Sequence, residues 1–112
     1  MLKKYEVSRT LAADDMVNIS VLYPDAGTEG SMVITRQDGE IFEISDEGGA
    51  NIGLARELGG TTCLTSIIFN LDPGQERLRM NIFLNGHMIV EHASAKSQDE
   101  HPTVKVELAI SV

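Results

Sequence analysis

Apolar residues fall at every second position over much of this chain. Near the C-terminus Val104, Val106, Leu108, Ile110 and Val112 alternate with Thr103, Lys105, Glu107, Ala109 and Ser111. Leu78, Met80, Ile82 and Leu84 keep the same rhythm. Asn85-Gly86 follows, and the chain returns through Met88, Ile89 and Val90. A period of two puts one face of a strand in a dry interior and the other toward water. Asn-Gly between two such runs predicts a hairpin, because both residues tolerate positive φ.

The pattern extends upstream. Lys3 to Leu11 places Tyr5, Val7 and Leu11 on one side, and Met16 to Tyr23 sets Val17, Ile19, Val21 and Tyr23 against Asn18 and Ser20. Ser31–Gln37 and Glu40–Ser45 form a predicted hairpin about Asp38-Gly39. A two-residue turn there pairs Thr35 with Phe42 and Val33 with Ile44. Val33, Thr35, Phe42 and Ile44 then face inward, and Met32, Ile34, Arg36, Ile41 and Glu43 face outward. Thr61 to Leu71 reads as the most buried strand, with Cys63, Ile67, Phe69 and Leu71 on one side and Leu64 and Ile68 on the other. The expectation is a single all-β domain over residues 1–112. It is an antiparallel β-sandwich or flattened barrel of about eight strands.

One stretch breaks the rhythm. Residues 46–60, from Asp46 to Gly60, carry five glycines and read as a long connection with at most one short helix near residues 51–58. Its core, Gly48 to Leu58, superficially resembles the glycine turn of short-chain dehydrogenases. No βαβ crossover follows it, and Leu54-Ala55 stand where a P-loop needs Lys and Ser/Thr. Nucleotide binding is therefore not expected, and no cofactor is.

Charge narrows the partners. The chain has 17 acids against 9 bases, a net charge of −8. That disfavours nucleic acid and anionic membranes, which reward basic stripes. Apolar content of 42% without a spanning run predicts a globular protein off the membrane. Cys63 has no partner cysteine, and the N-terminal residues lack the apolar stretch of a secretory signal. A reducing, cytoplasmic location is expected.

Candidate chemistry is thin. His87 and Glu91 share one side of a strand, His92 points away, and His101 lies in the next loop, so no metal site is expected. Cys63 on an apolar strand reads as a small hydrophobe, and no nucleophile motif occurs. With five aromatic side chains and no Trp, stacking platforms for sugars or single-stranded nucleic acid are absent. A pocket joining His87, Glu91 and Arg77 ranks last among the readings.

The leading expectation is a non-enzymatic intracellular binding protein whose acidic surface docks a protein partner, a basic one on the charge argument, as an inhibitor, immunity-like or accessory protein. Its contact residues are Ile34, Asp38, Glu40, Ile41, Glu43, Asp46 and Glu47. Charge sets the encounter rate and the isoleucines form the dry centre. The same hairpin, residues 31–45, offers a route to a homo-oligomer. The alternative is a small-molecule carrier with a barrel cavity lidded by residues 46–60.

Overall fold

The alternating pattern resolves into nine strands in a computed structural model that describes residues 1–112. They are β1 (Leu2–Thr10), β2 (Met16–Leu22), β3 (Thr28–Thr35), β4 (Ile41–Ser45), β5 (Gly48–Leu54), β6 (Thr61–Asn70), β7 (Arg77–Leu84), β8 (His87–Ala95) and β9 (Thr103–Ser111). Five form one sheet in the order β1-β9-β6-β3-β4, and four form a second in the order β5-β2-β7-β8. The sheets pack face to face as a sandwich; no ladder closes them into a barrel. All pairings are antiparallel except β1 with β9, which run parallel from Leu2↔Thr103 to Thr10↔Ser111. No helix is long and apolar enough to cross a membrane.

The interior is made by the inward residues of both sheets. Val17, Ile19 and Val21 of β2 and Leu78, Met80 and Ile82 of β7 meet Met32 and Ile34 of β3, Leu64 and Ile68 of β6, and Val104, Val106 and Leu108 of β9. These side chains fill the space where a carrier would hold its ligand. The expected lid is also absent as such. Residues 48–54 are the edge strand β5, paired with β2, and only Ala55–Glu57 turn as a short 3-10 segment. A bulge opposite Val17/Asn18 lets Ile52 point inward, and Ile52, Ala55 and Leu58 are buried. The glycines hid this strand from the period-two pattern, since a glycine shows no face.

The β3–β4 hairpin corrects a register. Arg36 N–H donates to Glu40 O (2.9 Å) and Gly39 N–H to Arg36 O (3.0 Å), so the loop is Gln37-Asp38-Gly39, with Gly39 at φ +91°. A three-residue loop closed by a left-handed glycine displaces the pairing by one residue. Ile34 pairs with Phe42 and Met32 with Ile44, while Val33 pairs with Glu43 and Thr35 with Ile41. A slip of one residue exchanges the faces of a strand. Met32 and Ile34 are therefore buried and Val33 and Thr35 face out, the reverse of the two-residue-turn expectation. Burying the larger pair favours this register.

β6 turns one of its two apolar sides to the second sheet. Thr62, Leu64, Ser66, Ile68 and Asn70 face inward, and the more apolar side, Cys63, Ile67 and Phe69, faces outward. His92, on the opposite side of its strand from His87 and Glu91, is buried between the sheets. Its Nδ1 meets Tyr5 Oη at 2.9 Å and its Nε2 meets Ser94 Oγ at 3.1 Å. Burial, with Lys3 nearby, holds its pKa below the ordinary histidine value.

Two truncations check the register. Ile34→Ala opens a cavity in the core and lowers unfolding free energy by about 2–5 kcal/mol. Val33→Ala, one residue away on the outer face, changes it by less than about 1 kcal/mol. Urea unfolding of both variants measures the contrast, and equal losses would contradict the pairing described.

Candidate functional site

The outer face of the five-stranded sheet collects the residues that the interior does not use. Cross-strand registers align them in rows: Ser45, Ser31, Ile67, Thr103 and Leu2; then Glu43, Val33, Thr65, Lys105 and Lys4; then Ile41, Thr35, Cys63, Glu107 and Glu6. The centre of this field, from β3 to β6, carries no charge. Ile41 is 59% exposed, Ile67 47% and Val33 38%. Large aliphatic side chains left in water beside one another on a sheet mark a candidate contact surface.

The field ends at β4, an edge strand of the sheet. Arg36 N–H bonds to Glu40 O and Asp46 N–H to Gly30 O (2.8 Å) at its two ends. Hydrogen-bonded pairs alternate along an antiparallel ladder, so Phe42 and Ile44 direct their backbone groups to β3. Ile41, Glu43 and Ser45 turn theirs away from the sheet, where no other strand meets them. An unpaired edge of this sort can accept another chain.

The acids expected at the site are distributed along this edge in two groups with Glu43 between them. At one end Asp38 and Glu40 flank Arg36, whose guanidinium reaches Asp38 Oδ2 (2.7 Å), Glu40 Oε2 (3.1 Å) and the carbonyl of Ile52 (2.9 Å). Arg36 is nearly buried, and its end of the sandwich is held shut by this bond from β3 to β5. The guanidinium lies over Gly53, where a β-carbon would sit 2.9 Å from its Nη1 and where φ is +130°. Only glycine suits both demands. At the other end Asp46 and Glu47 connect β4 to β5. They line an open depression of about 470 Å3 with Tyr23, Asp25 and Glu29. There Glu47 accepts the Tyr23 backbone N–H at 3.0 Å, and Asp25 takes two bonds from Arg79, at 2.8 and 2.5 Å. That pairing draws the Asp25 pKa down.

Ile34 does not belong to this surface. It is 0% exposed and lies in the core, so its expected contact role is withdrawn. Ile41 and Glu43 lie together at the edge. Val33, Thr35, Cys63, Thr65 and Ile67 enter in place of Ile34. The signal for Cys63 and Ile67 was present in the apolar alternate positions of Thr61 to Leu71, which read as core when the opposite sheet's position is unknown; Val33 and Thr35 were hidden by the hairpin register.

No chemistry-bearing cluster accompanies the face. His87 and Glu91 are exposed on the four-stranded sheet, His92 is inside, and His101 packs edge-on against Phe69 at 5.9 Å between ring centres. No three His, Cys, Asp or Glu side chains gather as a metal-binding group. Compared with known proteins, the chain matches no family model and no curated protein.

Tyr23 gives the acidic end an optical handle. Its ring is buried and its hydroxyl has no hydrogen-bond partner. Burial, reinforced by Asp46 and Glu47, pushes its pKa up to about 12. Burial also raises Tyr5, through a smaller effect. The folded protein therefore holds the Tyr23 phenol neutral while the unfolded chain ionises near the ordinary value of about 10. Stability from this group is present below pH 10 and is lost as pH rises toward 12. Absorbance titration of tyrosinate in the native protein should show one of the two tyrosines ionising only near pH 12. Asp46→Asn and Glu47→Gln together should bring the later step down.

Proposed function

We propose that the protein is a non-enzymatic docking module that binds a basic protein partner across β4 and the outer face of the five-stranded sheet. The observation that carries this reading is the exposure of Val33 and Ile67 on the outer side of β3 and β6, with Ile41 and Glu43 on the unpaired edge strand beside them. Apolar groups in such a field supply the desolvated centre of an interface. Glu43 beside them, with Asp38, Glu40, Asp46 and Glu47 at the two ends, supplies a rim of one sign. A net charge of −8 draws a basic partner from a distance and raises the encounter rate.

The same charges weigh against self-association through β4. Two copies paired antiparallel about Glu43 would set carboxylate against carboxylate, and like charges directly opposite destabilise a strand pair. A partner strand with Lys or Arg at those positions meets no such penalty. Cys63 is a free thiol on this face. That fits a reducing compartment such as the cytoplasm.

The test uses the wild-type protein and Ile41→Lys and Glu43→Lys variants as immobilised bait in cytosol from the source cell, at low and high salt. A partner captured by wild type at low salt should be lost at high salt. Its affinity should fall by about tenfold or more with either variant. Light scattering should find a monomer at micromolar concentrations. Capture that ignores salt and both substitutions would rule out this surface, and a stable dimer abolished by Ile41→Lys would replace the heterologous partner with a second copy.

A further inference from the structure

At the opposite edge of the sandwich from β4, the two sheets part around a cavity of about 220 Å3. It is lined by Arg9, Thr10 and Leu11 at the end of β1 and by Leu84, Asn85, His87 and Ile89 of the β7–β8 hairpin. The other three depressions of the surface each contain carboxylates: Glu76 in one, Glu6 and Glu107 in another, and Asp25, Glu29, Asp46 and Glu47 in the third. This one contains none. In a chain with 17 acids and 9 bases, an opening lined by Arg9 and His87 without an acid is the exception.

One of its donors, Asn85, is held in position. Asn85 sits at the hairpin turn with φ +49°. Its backbone N–H donates to Asn18 O at 2.9 Å, and its Oδ1 accepts the Asn18 N–H at 2.7 Å. With that oxygen engaged, the side-chain Nδ2 is left as a donor on a fixed arm. The Arg9 guanidinium makes one bond, from Nη1 to the carbonyl of Ser8 at 2.8 Å, and no ion pair. Four of its five N–H groups therefore remain for a ligand. Leu11, Leu84 and Ile89 supply the apolar part of the wall.

We propose that this cavity binds a small monocarboxylate with a short apolar tail. The carboxylate would lie between the Arg9 guanidinium and the donors of Asn85 and His87, and the tail would lie on Leu11, Leu84 and Ile89. A planar guanidinium suits a carboxylate because two parallel N–H groups can meet its two oxygens. The volume is that of about seven liquid waters, below the range of drug-sized sites, which limits the ligand to a small acid. The site is separate from the β4 face, and neither reading depends on the other.

The experiment is a titration of the isotopically labelled full chain with isovalerate and phenylacetate, followed by NMR. The amides isovaleramide and phenylacetamide serve as uncharged controls, and a tetrapeptide ending in leucine, with free or amidated C-terminus, tests a chain terminus. Binding should shift the amide signals of residues 9–11 and 84–89 with an acid and not with its amide. Arg9→Gln should weaken the acid by about tenfold or more. Arg9 is an exposed edge residue, and the dispersed spectrum of the variant verifies that it folds. Absence of shifts at millimolar acid, equal binding by the amides, or binding unchanged in Arg9→Gln would overturn the proposal. Binding of the free-carboxylate peptide alone would also overturn it, in favour of a partner chain's terminus.

Discussion

The one-residue choice of register in the β3–β4 hairpin governs the rest of the molecule. With Gln37-Asp38-Gly39 as the loop, Met32 and Ile34 join Ile44 in the core. The same choice sends Val33 and Thr35 outward, beside Ile41. It is enforced from both sides: the glycine closing the loop adopts a left-handed conformation, and the interior gains the larger of two possible apolar sets. The docking face is therefore the complement of the core. Whatever the hairpin buries determines what it shows.

Closure of the sandwich at that hairpin depends on a polar contact. Arg36 follows β3 directly and bonds the carbonyl of Ile52 in β5, joining the two sheets where their edges would otherwise part. Its charge is balanced by Asp38 and Glu40, both more than half exposed, so the pairs themselves are weak in water. Their effect is on position. They hold the guanidinium over Gly53, and a nearly buried cation without them would be costly to keep. Part of the acidity that looks from sequence like a free binding surface is thus committed to the fold. Glu47, tied to the Tyr23 backbone, is committed in the same way. Glu43 and Asp46 are the acids of this set whose carboxylates make no internal hydrogen bond or ion pair.

The fold class was legible because the longest alternating runs, β2, β7 and β9, are also the most regular strands of the interior. Two things were not. β5 reads as a loop because Gly48, Gly49 and Gly53 carry no side chain to reveal a face, and only pairing with β2 makes it a strand. β6 is central in its sheet and apolar on both sides, so periodicity could not say which side meets the second sheet. Of the candidate site, Ile41 and Glu43 were accessible from sequence as edge residues. Ile34 was misplaced by the turn length. Asp-Gly serves two-residue and three-residue loops alike, and the burial of Met32 and Ile34 selects between them.

The four edges of the two sheets are protected unequally, and this gives the surface its direction. On β1 and β9, parallel pairing sets Lys4 beside Lys105 and Glu6 beside Glu107. Each like-charged pair costs something on its own, and the neighbouring row of opposite sign offsets it. A strand approaching β1 meets both signs within two residues, a poor match for any simple partner and a common guard against unwanted pairing. β4 has no positive guard. Its outward residues are Ile41, Glu43 and Ser45, and the charges at its ends are predominantly acidic. The difference is one of specificity: mixed charge repels strands in general, whereas a single sign repels acidic strands, including a second copy of β4, and admits basic ones. An edge left open in this selective manner, next to exposed aliphatic side chains, is what a docking surface for one kind of partner requires.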